Sequence, residues 1–259
     1  MKKNVFNLVI VMLSSFMFFS CLKDKNDVHV SYGVIRNVNS VDNYEILTDK
    51  GNTLVVTKSY TSQTIENDKR VLVNFEVLSE KEKNKKMYEV MVNGFYNLLS
   101  KPVINESYIL QEEEFRRDSI GNDPLNWIDA AFGGDYININ FEVFHVNYSS
   151  VKHMLNLVYD DTRAEADTIY LTLYHNAYDE IPGKNHHLYK GLGRSSFKIS
   201  DLLPAGVTSK PVQLTWTEYQ YNDSPVVRSI SSIYYKGDIS ETNSRLENNI
   251  SIDSSIEIK

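Results

Sequence analysis

The sequence predicts an all-β protein in two parts, a small closed barrel followed by a β-sandwich of Ig-like shape. Three observations lead there. The 259 residues include 17 Tyr and 11 Phe, residue types that favour strands. Apolar and polar residues alternate in runs bounded by turn residues, the period-two pattern of a half-buried strand. These runs recur at short spacing with little helical periodicity, as sandwiches and barrels require. The length suffices for two small domains with cores of their own.

The first twenty residues read as a secretory leader. Lys2 and Lys3 form a positive start, and Val5 to Phe19 is an apolar run broken only by Asn7, Ser14 and Ser15. The run ends at Ser20-Cys21, and Cys21 is the one cysteine of the chain. A lone cysteine forms no internal disulfide. Its position is that of a lipobox cysteine, acylated once the leader (residues 1–20) is cut away. Ser20 supplies the small residue before the cut, while Phe18 and Phe19 depart from the usual pattern. Residues 21–27 then form a short charged tether. Leu22, rather than Asp, after the cysteine implies the outer membrane, with the periplasmic and the surface-exposed face both open. Two or three acyl chains hold a protein firmly where one holds it marginally, so the membrane itself is an expected partner.

Residues 28–115 are assigned to the barrel. Val28 to Arg36 is the first strand. Tyr44–Thr48 and Thr53–Thr57 flank Asp49-Lys50-Gly51-Asn52, a hairpin signal. Residues 59–69 are polar and loop-like. Val71 to Leu78 is the strongest strand of this half, and Met87 to Phe95 returns after a charged connector. Five strands at this spacing suit a closed barrel, which removes exposed edges. Ser107 to Phe115 reads as irregular or weakly helical.

Residues 116–133 are assigned to a connector and residues 134–240 to the sandwich. Gly121-Asn122-Asp123-Pro124 is dense turn chemistry, and Gly133-Gly134-Asp135 is a second break. Then Tyr136-Ile137-Asn138-Ile139-Asn140-Phe141 alternates strictly, with Ile137, Ile139 and Phe141 on one face and Asn138 and Asn140 on the other. Further strands are expected at 153–159, 168–175, 195–200, 211–219 and 226–235. No Cys…Trp…Cys pattern occurs, so the likeness to an Ig domain is one of shape. Residues 241–259 form a polar tail in which Ile250, Ile252, Ile256 and Ile258 could add an edge strand.

Gly121-Asn122-Asp123-Pro124, Trp127-Ile128-Asp129, Gly133 to Ile139 and Leu173-Tyr174-His175-Asn176-Ala177-Tyr178-Asp179 together resemble the NigD-like lipoproteins of Gram-negative anaerobes. The resemblance runs from about Cys21 to about Tyr235. It implies a lipid-anchored, OB-like N-terminal barrel and a C-terminal β-sandwich. None of the matching motifs is catalytic, so it implies fold and location without an activity.

Candidate sites were weighed against plainer readings. Asp123, Asp129 and Asp135 could supply oxygen ligands to a cation, but their spacing fits no compact loop and turn chemistry explains them. His175, Asp179, His186 and His187 could bind zinc, yet adjacent histidines in an extended chain point apart. Gly191-Leu192-Gly193-Arg194-Ser195 lacks the strand and helix of a phosphate loop. Trp127, Trp216, Tyr219, Tyr221, Tyr234 and Tyr235 could form a platform for sugar rings, or pack cores and cross-strand pairs. Asp118-Ser119-Ile120 and Asp167-Thr168-Ile169 resemble a short O-glycosylation pattern. Without the leader the chain carries 25 basic and 34 acidic residues, and that excess of acid argues against nucleic acid as a partner. The expectation is a non-catalytic interaction or accessory protein, lipidated at Cys21, with no cofactor, metal or catalytic residue and an unknown protein or glycan partner. The alternative is a surface glycan-binding lipoprotein.

Overall fold

The computed structural model describes residues 27–82, 86–111, 118–184, 187–220 and 224–237. Cys21, the leader, His186, Tyr221 and the four tail isoleucines lie outside the described residues.

The N-terminal strands close into a five-stranded barrel. They are β1 (Val28–Ser40), β2 (Asn43–Thr48), β3 (Thr53–Ser59), β4 (Arg70–Glu82) and β5 (Met87–Asn97). Their order around the barrel is β1-β2-β3-β5-β4, with β4 returning to β1. The hairpin read from Asp49-Lys50-Gly51-Asn52 is the β2–β3 turn, with Tyr44 opposite Val56 and Leu47 opposite Thr53. Ile35, Tyr44, Ile46, Leu54, Val56, Val71, Val73, Val90 and Val92 fill the interior.

The C-terminal part is two sheets face to face. Four short or early elements precede the alternating strand: β6 (Leu99–Lys101), β7 (Ile104–Asn105), helix α1 (Glu106–Leu110) and β8 (Trp127–Gly133). The longer strands are β9 (Tyr136–Val146), β10 (Met154–Tyr159), β11 (Ile169–Asn176), β12 (Leu188–Lys198), β13 (Ser209–Tyr219) and β14 (Pro225–Tyr235). One sheet runs β14-β13-β11-β10-β7 and the other β6-β12-β9-β8. Ile137, Ile139, Phe141 and Val143 of β9 meet Leu171, Leu173, Leu214 and Trp216 in the core between them.

Two boundaries differ from the sequence reading. Residues 99–105, expected in the barrel, hydrogen-bond to the sandwich: β6 pairs with β12 and β7 with β10. The runs are only three and two residues long, too short for alternation to show. The expected connector 116–133 contains β8, which forms a hairpin with β9 through Gly134. Its run of small and aromatic residues carries no period-two signal. Likewise β12 begins at Leu188 rather than 195, because Gly191 and Gly193 interrupt the apolar pattern.

Gly121 sits at φ +71°, and a Cβ there would stand 2.6 Å from Cβ and 2.9 Å from Cα of Asn176. Backbone on β11 cannot move aside cheaply. Gly121→Ala is therefore expected to lower stability by about 1–3 kcal/mol, measured as a shift in the urea midpoint. A midpoint equal to that of the parent protein would show that the turn rearranges freely.

Candidate functional site

Two clusters of buried polar side chains and one cavity are the places where chemistry could reside. The first cluster joins the two domains. Arg70 begins β4, and its guanidinium leaves the barrel to meet the outer face of β9. It pairs with the Asp49 carboxylate, donates to Asn138 Oδ1 at 2.9 Å, and reaches Ser196 Oγ on β12 at 2.8 Å. Asn138 returns a bond from Nδ2 to Asp49 at 2.8 Å, and Ser196 donates to Asn138 Oδ1 at 2.7 Å. The Tyr136 ring lies 4.0 Å from the guanidinium carbon. Beside this, the Tyr32 hydroxyl donates to Asn140 Oδ1 at 3.2 Å, and Arg194 packs near the Tyr96 ring. Burial, more than any other influence, pushes the Tyr32 phenol up. Gly133 permits the close approach, since a Cβ there would stand 2.4 Å from an Asp49 carboxylate oxygen. A buried ion pair closed by amide and hydroxyl partners fixes geometry. Its groups are consumed in holding the domains together.

The second cluster lies at the other end of the sandwich. His153, His175 and Glu180 are all buried. His153 Nδ1 is 3.0 Å from His175 Nε2, and His153 Nε2 is 3.3 Å from Glu180 Oε2. His175 Nδ1 faces the Asp123 carbonyl at 3.3 Å. The row thus has three links and an acceptor at each end. Two neutral imidazoles carry only two N–H groups, so the third link, to Glu180, forms when His153 takes a proton. Burial holds His153 below the ordinary histidine value, with Glu180 partly offsetting it. Burial and then His153 hold His175 down at about 3. Glu180 also accepts the Val146 N–H at 2.7 Å and the Ser149 hydroxyl. Despite the cost of burial, these bonds leave its carboxyl below the usual value. Glu180 therefore ties the segment after β11 to the segment after β9.

A cavity of about 400 Å³ lies beside α1, lined by Glu106, Ile109, Asp118, Ile120, Asn122 and Tyr174. Its walls are as polar as they are apolar. Ser119 of the first expected glycosylation triplet is exposed next to it, and Thr168 of the second is half-buried ahead of β11.

The remaining sequence candidates are dispersed. Asp123 accepts the Ala177 N–H at 2.7 Å, Asp129 stands in the middle of β8, and the Asp135 carbonyl accepts from Ile199 and Ser200. Among the described residues no group of three or more His, Cys, Asp or Glu is placed to hold a metal ion. Asp179 pairs with Lys184 at the surface rather than with His175. Gly191 and Gly193 lie inside β12. The sugar platform does not form as one surface. Trp216 and Tyr234 are core residues, Tyr219 packs edge-on against Phe144, and Trp127 and Tyr235 are exposed. Sequence reasoning passed over Arg70, Asn138, His153 and Glu180, because their partners lie 22 to 126 residues away.

Residues 34–98 match the model of the NigD-like N-terminal OB domain, and residues 107–228 match that of the NigD-like C-terminal β-sandwich domain. The chain belongs to the NigD-like family. A NigD-like immunity protein from Bacteroides caccae is 19% identical, with 79% of this chain and 92% of that one covered and a TM-score of 0.59. A provisionally named lipoprotein from Bacteroides fragilis is 11% identical, with coverages of 82% and 100% and a TM-score of 0.58. A protein of unknown function from Bacteroides vulgatus is 19% identical, with coverages of 81% and 90% and a TM-score of 0.55. At these identities the likeness is one of fold. No functionally curated protein matches the chain.

Proposed function

We propose that this NigD-like protein is a lipid-anchored outer-membrane protein that works by binding a partner rather than by catalysis. The observation that carries the reading is what the buried polar groups do. Arg70 and its partners lock barrel to sandwich, and Glu180 locks two segments of the sandwich together. Both clusters make the fold rigid instead of turning reactive groups toward solvent. The leader ending at Cys21 supports the anchor. Seven residues, 21–27, separate that cysteine from β1, so the barrel stands within about 25 Å of the lipid. The name of the Bacteroides fragilis relative is consistent with this.

Cys21→Ala is expected to abolish palmitate incorporation and to move the protein from the detergent phase to the aqueous phase. Parent protein found in the aqueous phase would overturn the anchor. Protease treatment of intact cells then assigns the face: degradation places the domains outside, and protection until permeabilisation places them in the periplasm. One observation favours glycan binding as a second reading. The cavity beside α1 combines carboxylates, an amide and a tyrosine, a lining suited to a hydroxyl-rich ligand. Calorimetric titration with envelope and host oligosaccharides tests it, and heat absent from every titration would remove it.

A further inference from the structure

We propose that the end of the sandwich farthest from the barrel is a recognition surface for a folded protein partner, with Tyr148, Tyr178 and Tyr189 as its contact residues. The inference rests on the binding reading above and gives it a location. Strands β9 and β11 end here and β12 begins here, so segments 147–153 and 177–184 lie together. The barrel contacts are at the opposite end, where Asp49 meets Gly133 and Arg70 meets Tyr136. An eleven-residue strand such as β9 spans about 35 Å. With the anchor before the barrel, this end stands farthest from the membrane.

Backbone strain is concentrated here. Six described non-glycine residues have positive φ, and three of them are Tyr148 at 58°, Tyr178 at 47° and Asp179 at 73°. Left-handed backbone is unfavourable for a bulky side chain. Packing does not offset it at Tyr148, which is 97% exposed. Tyr178 and Tyr189 are 46% and 53% exposed. Strain held at an exposed aromatic residue is the kind of outlier that points to function.

The strained segments are held from beneath. Glu180 accepts from Val146 N–H and the Ser149 hydroxyl, and Ser149 Oγ accepts the Val151 N–H at 3.0 Å. Asp123 accepts the Ala177 N–H, and Asn176 Oδ1 accepts the Tyr178 N–H at 2.9 Å. Rigid loops that present tyrosine lose little entropy when they bind.

The chemistry of the surface selects the partner. Nearby charges are paired: Asp179 with Lys184, Glu142 with Lys190, and Glu218 with Arg228. Phenol rings are what remain to be read. A ring that stands wholly clear of the surface is a knob, and a knob fits a pocket on another protein, where buried tyrosines act as binding hot spots. Sugar platforms present rings flat.

The test replaces Tyr148, Tyr178 or Tyr189, one at a time, by p-benzoylphenylalanine in the full chain within the native envelope. Exposed Tyr60 on the barrel is the control position. Irradiation is expected to give one discrete, protease-sensitive adduct from all three loop positions and none from Tyr60. Added soluble parent protein should reduce its yield at least tenfold, and a soluble Tyr148→Ala/Tyr178→Ala/Tyr189→Ala variant should not. Adducts from Tyr60 alone would overturn the inference and leave the binding reading standing, with its surface on the barrel. No adduct from any position would count against both. A protease-resistant adduct removed by glycosidase would replace the protein partner with a glycan. Tyr148→Gly is expected to keep or raise the melting temperature while abolishing competition. A lower melting temperature would show that this tyrosine serves the fold, and would overturn the proposal.

Discussion

Replacing Arg70 by leucine is expected to destabilise the protein by about 3 kcal/mol and to uncouple its two domains. The leucine cannot reach Asp49, Asn138 or Ser196, so it leaves three polar groups without the partner they were buried against. The Arg70 side chain is 2% exposed and that of Asp49 is 12% exposed. Water can therefore solvate the stranded carboxylate only in part. Removing one member of a buried pair costs more than removing both, because the survivor keeps its desolvation penalty. Arg70→Leu/Asp49→Leu should accordingly be less damaging than the sum of its single changes. Urea denaturation can follow the domains separately, since both tryptophans, Trp127 and Trp216, belong to the sandwich. In the parent protein, tryptophan fluorescence and far-ultraviolet circular dichroism should report one shared transition. In Arg70→Leu the two transitions should separate. A loss below about 1 kcal/mol with coincident transitions would show that the domains are held by something else.

The second large effect concerns acid. His175 is held near 3, first by burial and then by His153, while an unfolded histidine titrates at about 6.5. The folded state therefore binds fewer protons than the unfolded state throughout the window between those values. Stability from this group is fully present above pH 6.5 and is lost as pH falls from there toward 3. Each pH unit inside the window removes about 1.4 kcal/mol. Between pH 6.5 and 5 the loss from His175 alone is about 2 kcal/mol. His153, also shifted down by burial, acts in the same direction. His175→Gln should lower stability at pH 7 but flatten its dependence on pH between 6.5 and 5. Urea midpoints at pH 7, 6 and 5 decide the matter. Equal midpoints for the parent protein across that range would mean that His175 is not buried in its neutral form.

The β architecture was legible because strand formation is a local property. Alternation at Tyr136–Phe141 and the turn chemistry at Asp49–Asn52 act through neighbours in the chain. Both became strands and a hairpin where expected. The resemblance to NigD-like lipoproteins rests on equally local motifs, and the family assignment agrees with it. Short strands escaped for the converse reason. Three residues at Leu99–Lys101 cannot display a period, and their placement depends on the β12 edge that receives them.

The polar face of β9 marks where local reading ended. Alternation in the sequence sets Asn138 and Asn140 opposite the isoleucines, and the natural reading sends them toward water. In the fold both are buried, because Arg70 and Tyr32 of the barrel close over that face. A one-dimensional pattern states which residues share a side of a strand, but not what will cover that side. The same holds for His153, His175 and Glu180, each unremarkable in its own segment until two loops bring them into one row. Chain order and side-chain chemistry were enough to specify the strands and the turns. Burial, charge pairing and proton affinity arise from contacts between distant segments, so they took form only when the two domains and the loops at the sandwich end had packed.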